Sequence, residues 1–130
     1  MTYNVKNISI SIDRNVTEVT SFVSDPTKFP QWIAFIRNMQ RQADLWKATT
    51  DNGELIMKFV SANDLGVVDH TVTMPDGSMI HNVLRVIANG SGSEVIFTLF
   101  HLPQRSEAEF NTDASMVEKD LQKLKDILES

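Results

Sequence analysis

Three short stretches constrain this chain more than anything else in it: DNG at Asp51 to Gly53, PDGS at Pro75 to Ser78 and NGSG at Asn89 to Gly92. Each holds residues that tolerate positive φ, as tight hairpins require. Between them run segments of strand length with strand-like alternation, so the chain must fold back on itself repeatedly as a consecutive antiparallel meander. The spacing predicts five strands here, over 40–50, 54–61, 66–74, 79–88 and 93–101.

The flanks read differently. NISISIDR at 7–14 alternates with Ile8, Ile10 and Ile12 on one face, which predicts a first, half-buried strand. In NVTEVTSFVSD, Asn15 is a helix cap with Glu18 three residues later, and Val16, Val19, Phe22 and Val23 follow at helical spacing. Asp25-Pro26 ends that helix, because a residue before proline is pushed out of the helical region, and the same pair suits the start of a second helix. The joint SDPTKFPQW at 24–32 thus continues into a short helix bearing Trp32, Ile33, Phe35 and Ile36. After Pro103 the helical period returns: Ser106 and Glu109 form a capping box, and Phe110, Ala114, Val117, Leu121, Leu124 and Leu128 draw one apolar stripe along a helix over 106–130. A sheet with one apolar face and a long helix with one apolar stripe bury each other. The expectation is an α+β domain over 1–130 without an internal boundary: a curved antiparallel sheet wrapped around the terminal helix, with two short helices closing one end of the space between.

Composition excludes several function classes. The net charge of -5 opposes nucleic-acid binding, which needs clustered Lys and Arg to neutralise phosphates. No apolar run approaches bilayer length, and the start MTYNVKNISI lacks the apolar region of a secretory leader. With no cysteine there is no disulfide or thiolate site, so a cytoplasmic setting is expected. No cofactor is expected, and the expected assembly is a monomer or a weak homodimer.

Four segments carry a resemblance: SDPTKFPQW, LGVVDHTVTMPDG at 65–77, LRVIANGSGSEVIFTLF at 84–100 and EKDLQKLKDILE at 118–129. With them the chain resembles the START-like, birch-pollen-allergen-like superfamily, and within it the small bacterial polyketide cyclase-like members. The resemblance covers nearly the whole chain and implies the helix-grip fold. It implies no single activity, because that scaffold serves ligand carriage, polyketide cyclisation and chaperone activation alike. It supplies no universal catalytic motif either.

Candidate site residues therefore come from side-chain chemistry. Trp32, Phe35, Trp46, Met57, Phe59, Phe97 and Met116 are a surplus of bulky, soft side chains of the kind that lines cavities for apolar ligands. Trp32 and Phe35, on helices broken by proline, are placed to cap the open end of a curved sheet. Asp69, His70 and Arg85 are the candidates for proton transfer or enolate stabilisation, and His70 is also a candidate ligand contact. Asp69 and His70 are adjacent in a strand and so face opposite ways. Counting back from the PDGS turn sets His70 opposite Val83 and His81 opposite Val72, which gathers His70, His81 and Arg85 on one face. Counting across NGSG instead aligns Leu84 and Val86 with Val95, Phe97 and Leu99 as the apolar face. The sequence leaves both counts open. It supports binding of a small hydrophobic or aromatic molecule by a carrier or sensor, with a polyketide cyclase- or dehydratase-like enzyme and a chaperone-activator-like interaction module as alternatives.

The three histidines and the absence of cysteine offer too few closely spaced ligands for a closed metal site. Treatment with EDTA is expected to leave the melting temperature unchanged, and a stoichiometric metal in the purified protein would contradict this.

Overall fold

The computed structural model describes residues 1–130. The order is β1 (Val5–Ile12), α1 (Val16–Val23), a 3-10 turn (Pro26–Lys28) running into α2 (Phe29–Trp32), then β2 (Asn38–Gln42), β3 (Leu45–Thr50), β4 (Gly53–Phe59), β5 (His70–Thr73), β6 (Met79–Asn89), β7 (Gly92–Phe100) and α3 (Glu107–Glu129). All seven strands form one curved antiparallel sheet in the order β1-β7-β6-β5-β4-β3-β2. The expected α+β, helix-grip arrangement is present.

Local chemistry explains the helical boundaries. The Asn15 side chain accepts the Glu18 N–H at 2.9 Å to start α1, and Asp25 accepts the Thr27 N–H at 3.0 Å with Pro26 in the first turn. The second helix is shorter than the apolar spacing suggests. It ends at Trp32, because Ile33 turns to an extended conformation, and Phe35 is left exposed while Ile36 is buried. At α3 the capping box closes in both directions, Glu109 N–H to Ser106 Oγ at 3.1 Å and Ser106 N–H to Glu109 Oε1 at 2.9 Å.

The strands correct the sequence reading at three places. The strand expected over 40–50 is two strands, β2 and β3, joined by a tight reversal in which Ala43 takes φ 56°. Alanine rarely adopts that region, so the reversal carried no glycine or asparagine signal. The strand expected over 66–74 keeps regular pairing only from His70 to Thr73. Ahead of it the chain touches β6 through Val86 N–H to Gly66 O (2.9 Å) and Val68 N–H to Leu84 O (2.8 Å). The backbones approach so closely there that a Cβ at Gly66 would collide with the Val86 carbonyl oxygen.

The third correction concerns register. The PDGS turn carries three residues, Pro75 to Gly77, inside a closing pair in which Met74 N–H reaches Ser78 O at 2.8 Å. His70 therefore faces Asn82 and Thr71 faces His81, one residue away from the pairing of His70 with Val83 and His81 with Val72. A slip of one residue exchanges the faces of a strand. Leu84 opposite Phe97 and Val86 opposite Val95 agree with the count across NGSG.

The apolar interior is one cluster of 16 buried residues to which α1, α2, α3 and the sheet all contribute. α3 lies along β1, where Lys125 Nζ donates to Ser11 O at 2.6 Å and Asp13 N–H to Glu129 at 2.7 Å. Leu121 and Leu124 of α3 are buried in the cluster. Replacing Leu124 by Ala is expected to cost about 2 to 5 kcal/mol. The check is a lower denaturant midpoint at unchanged slope.

Candidate functional site

A cavity of about 690 Å³ separates the inner face of the sheet from α3. It is lined by 27 residues, 18 of them hydrophobic, so its walls are predominantly apolar. β4 supplies Leu55 and Met57, β5 His70 and Val72, β6 Asn82 and Leu84, and β7 Phe97 and Leu99. Phe29 and Trp32 of α2 close one end. Phe35, Met116 and the turn at Asp76 are exposed and mark the rim.

Of the side chains singled out from sequence, Trp32, Phe35, Met57, His70, Phe97 and Met116 line this space. Trp46 and Phe59 do not. Trp46 lies directly across from Met57 but packs on the core beyond the cavity. Phe59 stands behind the wall, with its ring 4.8 Å from His70 and 5.6 Å from Phe29, and so it backs two rings that do reach the cavity. Trp32 packs edge-on to Phe29 at 5.7 Å, and its indole Nε1 is buried without an acceptor.

Asp69 and Arg85 are absent from the lining. The Asp69 carboxylate accepts the Leu84 N–H at 3.0 Å and both Arg85 Nε (3.3 Å) and Nη2 (2.8 Å). Burial works to raise its pKa, and the Arg85 and Leu84 bonds outweigh burial and hold the carboxyl below its ordinary value. The pair staples the irregular segment before β5 onto β6, outside the cavity lining. His81 is on the same outer side, 3.4 Å from the Thr71 hydroxyl. The cluster of His70, His81 and Arg85 thus does not form. His70 remains as the cavity's imidazole, held at Nδ1 by Val68 O (3.0 Å) and at Nε2 by the Asn82 amide (3.4 Å). Since the carbonyl can only accept, Nδ1 carries the proton and Nε2 accepts. Burial lowers the pKa of the ring and keeps it neutral.

Sequence reasoning missed Asp120. The apolar stripe of the terminal helix leaves it out, yet Asp120 is half-buried and lines the cavity beside Val117 and Leu121. The signal was its place three residues after Val117 and four before Leu124, on the flank of the apolar stripe. Its carboxylate accepts the Ala34 N–H at 3.2 Å, and burial pushes its pKa up to about 6. Nearer the rim, Asp113 holds Arg105 through two bonds of 2.8 and 3.2 Å, and Glu109 takes a third at 3.1 Å.

No family model matches the sequence, and no curated protein matches it. Solved structures do. A START superfamily protein from Mycobacterium smegmatis superposes with a TM-score of 0.73 at 13% identity, over 96% of this chain and 97% of that one. Ara h 8.0201, a birch-pollen-allergen-like protein, gives 0.66 at 10% identity, over 95% and 96%. This is the START-like helix-grip fold. DynU16, from the dynemicin biosynthetic locus, shows the same START-like architecture with a TM-score of 0.75 at 13% identity, over 97% of this chain and 47% of that one. No helix of the chain is long and apolar enough to cross a membrane.

Burial in the folded protein pushes the Asp120 carboxyl from its ordinary value of 3.8 up to about 6. Between those values the native state holds a proton that the unfolded state has released, so this group's contribution to stability declines as pH rises and is least favourable above 6. Asp120→Asn keeps an acceptor for Ala34 and is expected to stabilise the protein at alkaline pH by about 1 kcal/mol once the exposed part of the side chain is discounted for screening. Thermal melts across pH should show that gain vanishing as the carboxyl of the parent protein becomes protonated.

Proposed function

We propose that this chain binds a small hydrophobic or aromatic molecule between the sheet and α3, as a carrier or sensor. The observation that carries the reading is the cavity, whose volume of about 690 Å³ falls in the range of roughly 300 to 1,000 Å³ typical of small-molecule sites. Water in so apolar a space has few partners, and an apolar ligand releases it. Trp32, Met57 and Phe97 form walls in this reading, Phe35 and Met116 frame the entrance, and His70 with Asn82 offers a polar spot on the sheet side. Trp46 and Phe59 support the wall from behind.

A second reading, a polyketide cyclase- or dehydratase-like catalyst, is favoured by one observation. Asp120 is a carboxyl on the cavity wall, free of any ion pair, and burial pushes its pKa up to about 6, closer to neutrality than an ordinary carboxyl. Asp69 and Arg85 take no part in it, because they are bound to each other outside the lining.

A panel of flat hydrophobic molecules tests the first reading. Some should bind at micromolar strength and raise the melting temperature; at a hundredfold excess over the dissociation constant the gain is about 2.7 kcal/mol. In Trp46→Phe, which leaves Trp32 as the sole indole, emission should change on binding, and Met116→Ala at the rim should weaken affinity several-fold. A panel that shifts neither melting nor emission sinks the proposal.

A further inference from the structure

We infer that the ligand of this cavity carries a protonated amine on its apolar body, with Asp120 accepting the N–H groups. The inference rests on the ligand-binding reading above and narrows it to a chemical class. The ionisable groups on the walls are His70, Asp76, Arg105, Asp113 and Asp120. Arg105, the cavity's single basic side chain apart from the neutral His70, is already engaged by Asp113 and Glu109. Asp76 is exposed at the rim and turned to its own loop, where it accepts from the Ser78 N–H at 2.9 Å and the Ser78 hydroxyl at 2.6 Å.

Asp120 is different. It forms no ion pair, and its sole hydrogen bond comes from the Ala34 backbone. A carboxylate has about four acceptor sites, so most of its capacity is unmet by the protein. A ligand that covers this carboxylate takes it out of water. A purely apolar ligand leaves the charge stranded, and an anion adds repulsion with no free cation to receive it. An ammonium group restores the lost hydrogen bonds and neutralises the charge. Trp32 and Phe97 are aromatic residues of the same lining, and a ring of this kind attracts a cation placed over its face.

Four probes on one naphthalene body separate the possibilities: naphthylethylamine, naphthylethanol, ethylnaphthalene and naphthylacetate, titrated calorimetrically at a pH above the Asp120 transition. The amine is expected to bind about tenfold or more tighter than ethylnaphthalene, with naphthylacetate the weakest. Asp120→Asn should bring the amine to within about threefold of ethylnaphthalene, by weakening the amine and by tightening ethylnaphthalene, which no longer strands a charge, and a cooperative melt verifies that the variant is folded. Asp126→Asn, which removes the same charge from an exposed site on α3, should keep the preference. If ethylnaphthalene or naphthylethanol binds as tightly as the amine, or the preference survives Asp120→Asn, the amine assignment is wrong while the cavity stands. If none of the four binds, both fall.

Discussion

The separation between sheet and terminal helix is the constraint on which the rest of the molecule depends. α3 is held along one flank by β1, through Lys125 to Ser11 and Glu129 to Asp13, and reached from the other side by the segment after α2, through Ala34 to Asp120. Supported at both sides over a curved sheet, the helix cannot sink until its stripe meets every inward side chain of β4 to β7. Leu121 and Leu124 reach the core, whereas Met116 and Val117, nearer the start of the helix, border open space. The proline-broken joint after α1 follows from the same geometry: a short α2 turns Phe29 and Trp32 into the end of that space, and a continuous helix would overrun it.

The polar residues divide according to which side of the sheet they serve. Asp69 and His70 are neighbours in sequence with opposite duties. The carboxylate, bound to Leu84 and Arg85, fixes an irregular entry into β5 that lacks regular pairing. The imidazole points inward, steadied by Val68, Asn82 and the rings of Phe29 and Phe59. Breaking Asp69 would therefore disturb the site through backbone position rather than through lost contact with a ligand.

Much of this was legible in the sequence because it depends on local rules. The caps at Asn15, Asp25 and Ser106 and the turns at Asn52, Gly77 and Gly90 act within a few residues, and the residue types at those positions announce them. Six of the eight side chains chosen as ligand contacts line the cavity, since bulk and inward register select for the same positions. What escaped depended on context. Ala43 takes a positive φ that nothing about alanine signals. One additional residue in the turn after β5 decided which face His81 and Arg85 occupy, and turn length within PDGS is set by how the strands close, not by composition. Asp120 lies outside the apolar stripe that the spacing picks out, and only the gap between helix and sheet makes it an interior group.

The pairing of β1 with β7 has a consequence for how the chain is made. Partners on the two strands stand between 81 positions apart, at Ile12 and Ser93, and 95 apart, at Val5 and Phe100. During synthesis at roughly 5 to 20 residues per second, β1 waits several seconds before its partner exists, and α3 arrives later still. Throughout that interval Ile8, Ile10 and Ile12 form an apolar row with no sheet beside it, while the hairpins of β2 to β6 can close on their own. So distant a contact has to wait for the intervening chain, and an unpaired β1 is the strand that stays open to misassociation for longest.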